Sequence, residues 1–144
     1  MSPSHVVAHP QPPESFYGAW HVHGGEIQLR RDGTGGSYAH EGFTPDGRWV
    51  NVVQTLSTRL SANKKTLTIT MITQHWEADG KRTPNPAPQD PLWIVPGDTF
   101  TATFVHPHLM KVTALQAHNA KESLGNPYLC GQGLASKYQG LCGA

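Results

Sequence analysis

The sequence is poor in charged residues and lacks long apolar runs, and each of these shortages excludes one large class of function. Only 15% of its 144 residues are Asp, Glu, Lys or Arg, and the net charge is +1 with the histidines neutral. The chain has neither a basic field for nucleic acid nor an acidic tail. No apolar run approaches the roughly 20 residues that a membrane-spanning helix needs. The sequence therefore predicts neither a nucleic-acid partner nor a membrane span.

Catalytic motifs are lacking as well. There is no phosphate-binding loop, and the glutamates are too scattered to suggest the paired carboxylates of glycoside hydrolysis. Three serines lie in ordinary strand or turn patterns rather than on the strained turn of a nucleophile: Ser37, Ser57 and Ser61. We predict that the protein is not an enzyme.

Cysteine is scarce, with only Cys130 and Cys142 near the end of the chain. The segment between them is rich in glycine and poor in large apolar residues, so it can bend to bring the two sulfurs together. A disulfide is predicted, and with it an oxidising compartment, outside the cell or in its envelope. The rival reading makes both cysteines metal ligands together with His118. The first fifteen residues lack the basic and long apolar regions of a signal peptide.

Turn signals are plentiful and separate segments that alternate like strands. Gly24-Gly25 and Asp32-Gly33 are typical hairpin turns, and Ile27 and Leu29 alternate with polar residues between them. Further strands are predicted along the chain: Gly35–His40, Arg48–Leu60, Thr66–Trp76, Asp98–Val105 and Leu109–Leu115, with Leu92–Val95 as a short apolar segment before Asp98–Val105. No helix of crossover length is visible. The sequence predicts an all-β, antiparallel up-and-down meander of seven to eight strands, forming a small barrel or a sandwich.

Three regions follow from this pattern. Residues 1–15 form a proline-rich arm without regular structure. Residues 16–116 form the β-domain, in which Arg48–Leu60 and Thr66–Trp76 pair as a long hairpin. Residues 117–144 form an irregular tail closed by the disulfide, with at most a turn of helix near Leu134 to Tyr138.

Four tryptophans divide into one core residue and three candidates for binding. Trp20 shares a face with apolar residues and is expected in the core. Trp49 and Trp76 fall on the polar faces of their strands, and we select them with Trp93 and His75 as ligand-binding or partner-binding residues. The sequence leaves open whether these side chains line a pocket, form an exposed patch or simply cover the barrel ends.

Two histidine pairs raise the question of a metal. His21 and His23 lie on one face of a strand about 7 Å apart, and His106 and His108 flank a proline. If the first and last strands of a barrel are neighbours, both pairs could converge on zinc, which needs three or four ligands. The alternative is that the first pair faces solvent and the second forms a turn. No other cofactor is predicted.

The sequence also resembles known groups of proteins. Gly18-Ala19-Trp20, followed by a hairpin and Asp32-Gly33-Thr34-Gly35, is similar to the opening of lipocalin-like and avidin-like barrels, where the tryptophan plugs one end. The segments GAWHVHG…DGTG, Pro96-Gly97-Asp98 and NPYLCGQG…LCGA resemble small, uncharacterised actinobacterial exported proteins and phage look-alikes. That resemblance implies a small β-domain with a C-terminal disulfide, and it points to no particular activity. The phage look-alikes make virion association a further expected location.

Together these features predict a non-enzymatic β-barrel that acts by binding. Its partner would be another protein, further copies of itself, a phage or envelope assembly, or a small apolar ligand. The competing hypothesis is a metal-dependent enzyme that uses the histidine cluster.

Overall fold

The computed structural model describes residues 12–89, 94–116 and 127–143, and it consists almost entirely of antiparallel β-strands. The strands are β1 Gly18–Val22, β2 Gly25–Leu29, β3 Thr34–Phe43, β4 Trp49–Leu60, β5 Thr66–Ala78, β6 Lys81–Thr83, β7 Thr99–His106, β8 Leu109–Gln116 and β9 Tyr128–Gly131. A short 3-10 helix, Ser136–Cys142, follows β9. The prediction of an all-β antiparallel domain is confirmed. Within the described ranges, no helix is long and apolar enough to cross a membrane.

Eight of the nine strands close into a barrel. Their order around the wall is β1, β2, β3, β4, β5, β7, β8 and β9, and β9 pairs with β1 to complete the ring. The three-residue β6 pairs with the end of β5 and stands outside the ring. Of the two architectures that the sequence left open, the continuous ring of paired neighbours identifies the barrel. The predicted long hairpin of β4 and β5 is confirmed.

The eighth barrel strand comes from a segment that the sequence analysis assigned to an irregular tail, and that assignment is wrong for Tyr128–Gly131. These four residues pair with β1 on one side and with β8 on the other. A four-residue strand is too short to show an alternating pattern in the sequence. A short helix is present as expected, but as a 3-10 helix it covers the seven residues Ser136–Cys142, later and longer than the single turn expected near Leu134 to Tyr138. Of the predicted arm, residues 1–11 lie outside the described residues.

The apolar core fills the barrel end where β1 begins. Trp20 has no exposed surface there, and its indole N–H donates to the carbonyl of Phe16 at 2.8 Å. Phe104 packs on both rings, at 4.8 Å from Phe16 and 5.9 Å from Trp20 between ring centroids. The expectation that Trp20 lies in the core is confirmed.

A second, smaller apolar cluster lies outside the barrel wall. It joins Leu109 of β8 and Cys130 of β9 to Leu134 and Cys142 of the C-terminal segment. The predicted disulfide between Cys130 and Cys142 is confirmed. This bond holds the C-terminal segment, residues 132–143, against the outside of the barrel. It is consistent with an oxidising environment.

The pairing of β4 with β5 is interrupted by a β-bulge. Leu56 lies opposite Met71, but its neighbour Thr55 lies opposite Thr73, so Ile72 is left without a partner on β4. An extra residue in one strand reverses the face to which later side chains point. Ile72 itself is 50% exposed.

The bulge places Trp76 inside the barrel. Directly opposite residues on antiparallel strands share a face, and Trp76 lies opposite Val52, which is buried. The prediction that Trp76 lies on the outer, polar face is therefore wrong. Simple alternation from the buried Leu67 and Ile69 cannot reveal a reversal that occurs within the strand.

One glycine of the first hairpin marks a place where two strands touch. A Cβ added at Gly25 would lie 2.0 Å from the carbonyl oxygen of Tyr38 on β3, which is backbone and cannot rotate away. We expect Gly25→Ala to lower the free energy of unfolding by about 1–3 kcal/mol. Gly36→Ala is the matched control, since its nearest atom would be 3.5 Å away. Urea unfolding of both variants measures the difference, and equal midpoints would contradict the prediction.

Candidate functional site

A row of polar side chains crosses the inner face of three neighbouring strands. Ser37 of β3 donates from its hydroxyl to Oε1 of Gln54 on β4 at 2.7 Å. Gln54 in turn donates from Nε2 to Oε1 of Gln74 on β5 at 2.9 Å. The inward orientation follows from the register, because Ser37 lies opposite the buried Ile27 of β2. We call Ser37, Gln54 and Gln74 the inner polar row.

The row lies where the barrel wall changes its partners. β7 pairs with β5 only over Thr66–Thr70, and beyond the bulge β5 pairs with β6 instead. Inner-face residues before the bulge, such as Leu67 and Ile69, are fully buried. The inner polar row and Trp76 face inward and yet are only half-buried. Inward side chains that keep exposed surface indicate an interior that is open to solvent at this end.

Two hydrogen-bond donors in this opening have no acceptor among the described residues, and one of them is buried. Nε1 of Trp76 is buried and has no hydrogen-bond partner among the described residues. Gln74 uses Oε1 as an acceptor, and its Nε2 makes no hydrogen bond within the described ranges. Gln74 and Trp76 are two positions apart on the same face of β5, so their Cα atoms are about 7 Å apart. A buried donor without a partner is rare and calls for a physical explanation.

The loop after β6 approaches this opening. A Cβ added at Gly42 would meet the ring of Pro86 at 3.5 Å. Gly42 lies opposite the buried Val50, so this added atom would point to the inner face of the sheet. The proline-rich loop therefore passes over the inner face of β3 and β4 near the open end.

Aromatic rings gather on the opposite, outer face of β3 and β4. Trp49 stacks on the His40 ring at 3.5 Å between centroids, and Phe43 stands perpendicular to the indole at 5.8 Å. Tyr38 follows on the same face of β3. Three of these side chains are about half exposed: Tyr38 49%, Phe43 55% and Trp49 54%. We call Tyr38, His40, Phe43 and Trp49 the outer aromatic surface.

The turn before Trp49 is held by hydrogen bonds. The buried hydroxyl of Thr44 donates to the carboxylate of Asp46 and accepts the backbone N–H of Arg48 at 2.9 Å. The Thr44 hydroxyl and the Arg48 guanidinium lower the pKa of Asp46 below its usual value. Asn51 accepts the indole N–H of Trp49 at 2.9 Å. The Trp49 indole is therefore held at its N–H by Asn51 and on one ring face by His40.

The predicted binding residues do not form one site. Trp49 and His75 lie on the outer face of β4 and β5, where His75 bonds to Glu77 at 2.5 Å. Trp76 lies on the inner face, and Trp93 lies outside the described residues. Neither the inner polar row nor the aromatic partners of Trp49 were predicted from the sequence. One signal was available, since Gln54 lies between the apolar Val52 and Leu56 on the inner face of β4.

The four candidate metal ligands surround the C-terminal segment rather than one point. His21 and His23 pack against Gly143, and the His108 ring lies against Gly133. His106 packs on Tyr138 at 4.3 Å between ring centroids. In the described part of the chain, no group of three or more His, Cys, Asp or Glu residues could hold a metal ion. The convergence expected from neighbouring first and last strands does not occur, because β9 lies between β1 and β8.

A shallow cleft of about 610 Å³ separates β1 from the C-terminal segment. His21 and Glu26 lie directly opposite each other on its floor, and Gln132 and Gln139 line the other side. Gln139 is already engaged, donating to the carbonyl of Leu134 at 3.1 Å. None of the described residues that line this cleft has a buried side-chain polar atom without a hydrogen-bond partner, in contrast to Trp76 at the open end.

Comparison of the chain with protein-family models, with curated proteins and with solved structures gives no match.

Proposed function

We propose that the barrel binds a small uncharged ligand at its open end, between the inner polar row and Trp76. The observation that carries the proposal is the buried indole N–H of Trp76, which has no acceptor among the described residues. Leaving such a donor unpaired costs about 1–3 kcal/mol. A ligand that supplies the acceptor removes this cost, and barrel mouths are common ligand sites.

The hydrogen bonds define the ligand chemistry. In the inner polar row, the amide oxygens of Gln54 and Gln74 each already accept a hydrogen bond. The row ends in the amide N–H groups of Gln74, which donate to no described residue. Trp76 adds a second donor on the same face. No Asp, Glu, Lys or Arg belongs to this set, so a charged ligand would lack a counter-charge. The site therefore suits an uncharged molecule with two carbonyl-type acceptors about 7 Å apart or less, such as an imide, a diester or a cyclic dipeptide.

The half-buried state of these residues supports a site for a ligand rather than a packed core. Side chains that face inward and still contact solvent leave room that a ligand could occupy. Apolar contacts would come from the half-buried indole ring of Trp76. The proposal describes a binding protein that needs no catalytic group.

The test is a thermal-shift and calorimetric screen with a panel of small imides, diesters and cyclic dipeptides. We expect a binder to raise the melting temperature, and Trp76→Phe to weaken its binding about tenfold because one neutral hydrogen bond is lost. Trp49→Phe is the matched control, since it removes an indole N–H from the outer face, and it should bind like the wild type. If no member of the panel binds, and native mass spectrometry finds no co-purified small molecule, the proposal is wrong.

A further inference from the structure

We propose that the cleft between β1 and the C-terminal segment binds a small primary amine, with its ammonium group at Glu26 and its apolar stem between Ala19 and Leu134. The cleft lies on the outside of the barrel wall. This site is therefore separate from the one proposed at the open end and does not depend on it. Its volume of about 610 Å³ is typical of small-molecule sites.

Glu26 is the acidic residue of the cleft, and no cation among the described residues neutralises it. Its side chain is half-buried and makes no hydrogen bond or ion pair within the described ranges. His21, directly opposite on β1, instead directs its Nε2 to the carbonyl of Gly143 at 3.4 Å. Lys137 lies over the Tyr138 ring at 5.1 Å and does not line the cleft. A carboxylate partly removed from water is stabilised by an opposite charge close by, so a cationic ligand fits this group.

The other polar side chains of the cleft favour an ammonium group over a metal ion. Gln139 donates its Nε2 to the carbonyl of Leu134 at 3.1 Å, which leaves its Oε1 as an acceptor. Gln132, which also lines the cleft, makes no hydrogen bond within the described ranges, so its amide oxygen can turn towards a donor. A primary ammonium has three N–H donors, which one carboxylate and two amide oxygens can accept together. A calcium ion takes about six to eight oxygen ligands, more than these side chains supply.

The cleft also offers apolar surface beside the charged group. Ala19 lies two positions before His21 on the same face of β1, and the buried Leu134 lines the side of the C-terminal segment. On β3, Tyr38 lies directly opposite Glu26 and is 49% exposed. A cation within about 6 Å of an aromatic ring is attracted to its face, so the Tyr38 ring can add to the attraction at Glu26. The ligand class is therefore a short alkylamine rather than an inorganic cation.

Titration of the oxidised protein with hexylamine tests the site, with hexanol as the uncharged ligand of the same length. We expect hexylamine to bind with a Kd of about 1 mM or tighter, and hexanol to bind roughly tenfold more weakly because it lacks the charge. Amide NMR shifts should map the binding to Ala19, Gln132 and Gln139. Glu26→Gln keeps the shape of the side chain and removes its charge, so it should weaken hexylamine binding about tenfold.

Glu77→Gln is the matched control, because it removes the same charge from the outer face of β5, where Glu77 is bonded to His75 outside the cleft. It should bind hexylamine like the wild type, and melting temperatures establish that both variants are folded.

The proposal is wrong if neither hexylamine nor the shorter butylamine shows saturable binding, or if Glu26→Gln binds as tightly as the wild type. Hexanol that binds as well as hexylamine would show that the cleft takes apolar molecules without regard to charge. Calcium that displaces hexylamine at a lower concentration than the amine itself would assign Glu26 to a metal ion. Either of these results would equally overturn the proposal.

Discussion

Replacing Trp20 by alanine is expected to lower the free energy of unfolding by about 3–5 kcal/mol, the cost of removing a large aromatic side chain from a packed core. Trp20 has no exposed surface and contacts the Phe104 ring. Its indole N–H also satisfies the carbonyl of Phe16, which would lose its partner. Since small domains are stable by only about 5–15 kcal/mol, the variant should be close to unfolding at physiological temperature.

Two controls separate the contributions of volume and hydrogen bond. Trp20→Phe keeps most of the apolar volume and removes the donor with one of the two fused rings, so we expect about 1–3 kcal/mol, mainly from the unpaired Phe16 carbonyl. Trp49→Ala removes the same side chain from the outer face, where 54% of it is exposed, and should cost less than about 1.5 kcal/mol. Urea unfolding followed by far-ultraviolet circular dichroism measures all three. A Trp20→Ala variant no less stable than Trp49→Ala would show that the core does not depend on Trp20.

The position of Trp20 could be predicted because it depends on local alternation that no bulge interrupts. The same reasoning located the long hairpin and its turn. The chemistry of the open end could not be predicted in full, because it depends on the bulge at Ile72. With Ile72 excluded from the alternation, Gln74 and Trp76 move to the inner face, and the polar row becomes continuous with Gln54. A bulge leaves no reliable mark in the sequence of a single chain.

The barrel closure was also beyond the sequence. Tyr128–Gly131 is short, and its place in the wall is set by partners far along the chain, His21 on β1 and Leu109 on β8. The outer aromatic surface shows the same limit. Tyr38, Phe43 and Trp49 come together only because β3 and β4 pair with a shift between His40 and Gly42. Distances between strands are a property of register, which the turn chemistry alone does not fix.

The structure changes what is expected when the disulfide is opened. From the sequence, reduction should loosen only the tail and leave the barrel folded. Cys130, however, lies within β9 and faces the outer cluster with Leu109 and the fully buried Cys142. The backbone N–H of Gly131 donates to the carbonyl of His108 at 2.8 Å. Loosening the segment therefore removes support from the strand that closes the ring.

Opening the bond should accordingly destabilise the whole barrel. The two cysteines are separated by 12 positions in the sequence, and closing a loop of this size contributes about 3 kcal/mol on the chain-entropy model. We expect Cys130→Ser/Cys142→Ser to lower the free energy of unfolding by about that amount. Hydrogen exchange should accelerate at the amides of Gly131 and Val112, whose partners are the carbonyls of His108 and Pro127.

The measurement compares oxidised protein, reduced and alkylated protein, and the double serine variant. Intact mass should rise by about two hydrogens on reduction, which confirms the state of the bond. Gly140→Ala is the matched control in the same segment, because an added Cβ there meets no atom within 4 Å. If the variant unfolds at the same urea concentration as the wild type, with faster exchange confined to residues after Gly131, then β9 holds its place without the bond. In that case the hydrogen bonds to β1 and β8, rather than the disulfide, close the barrel.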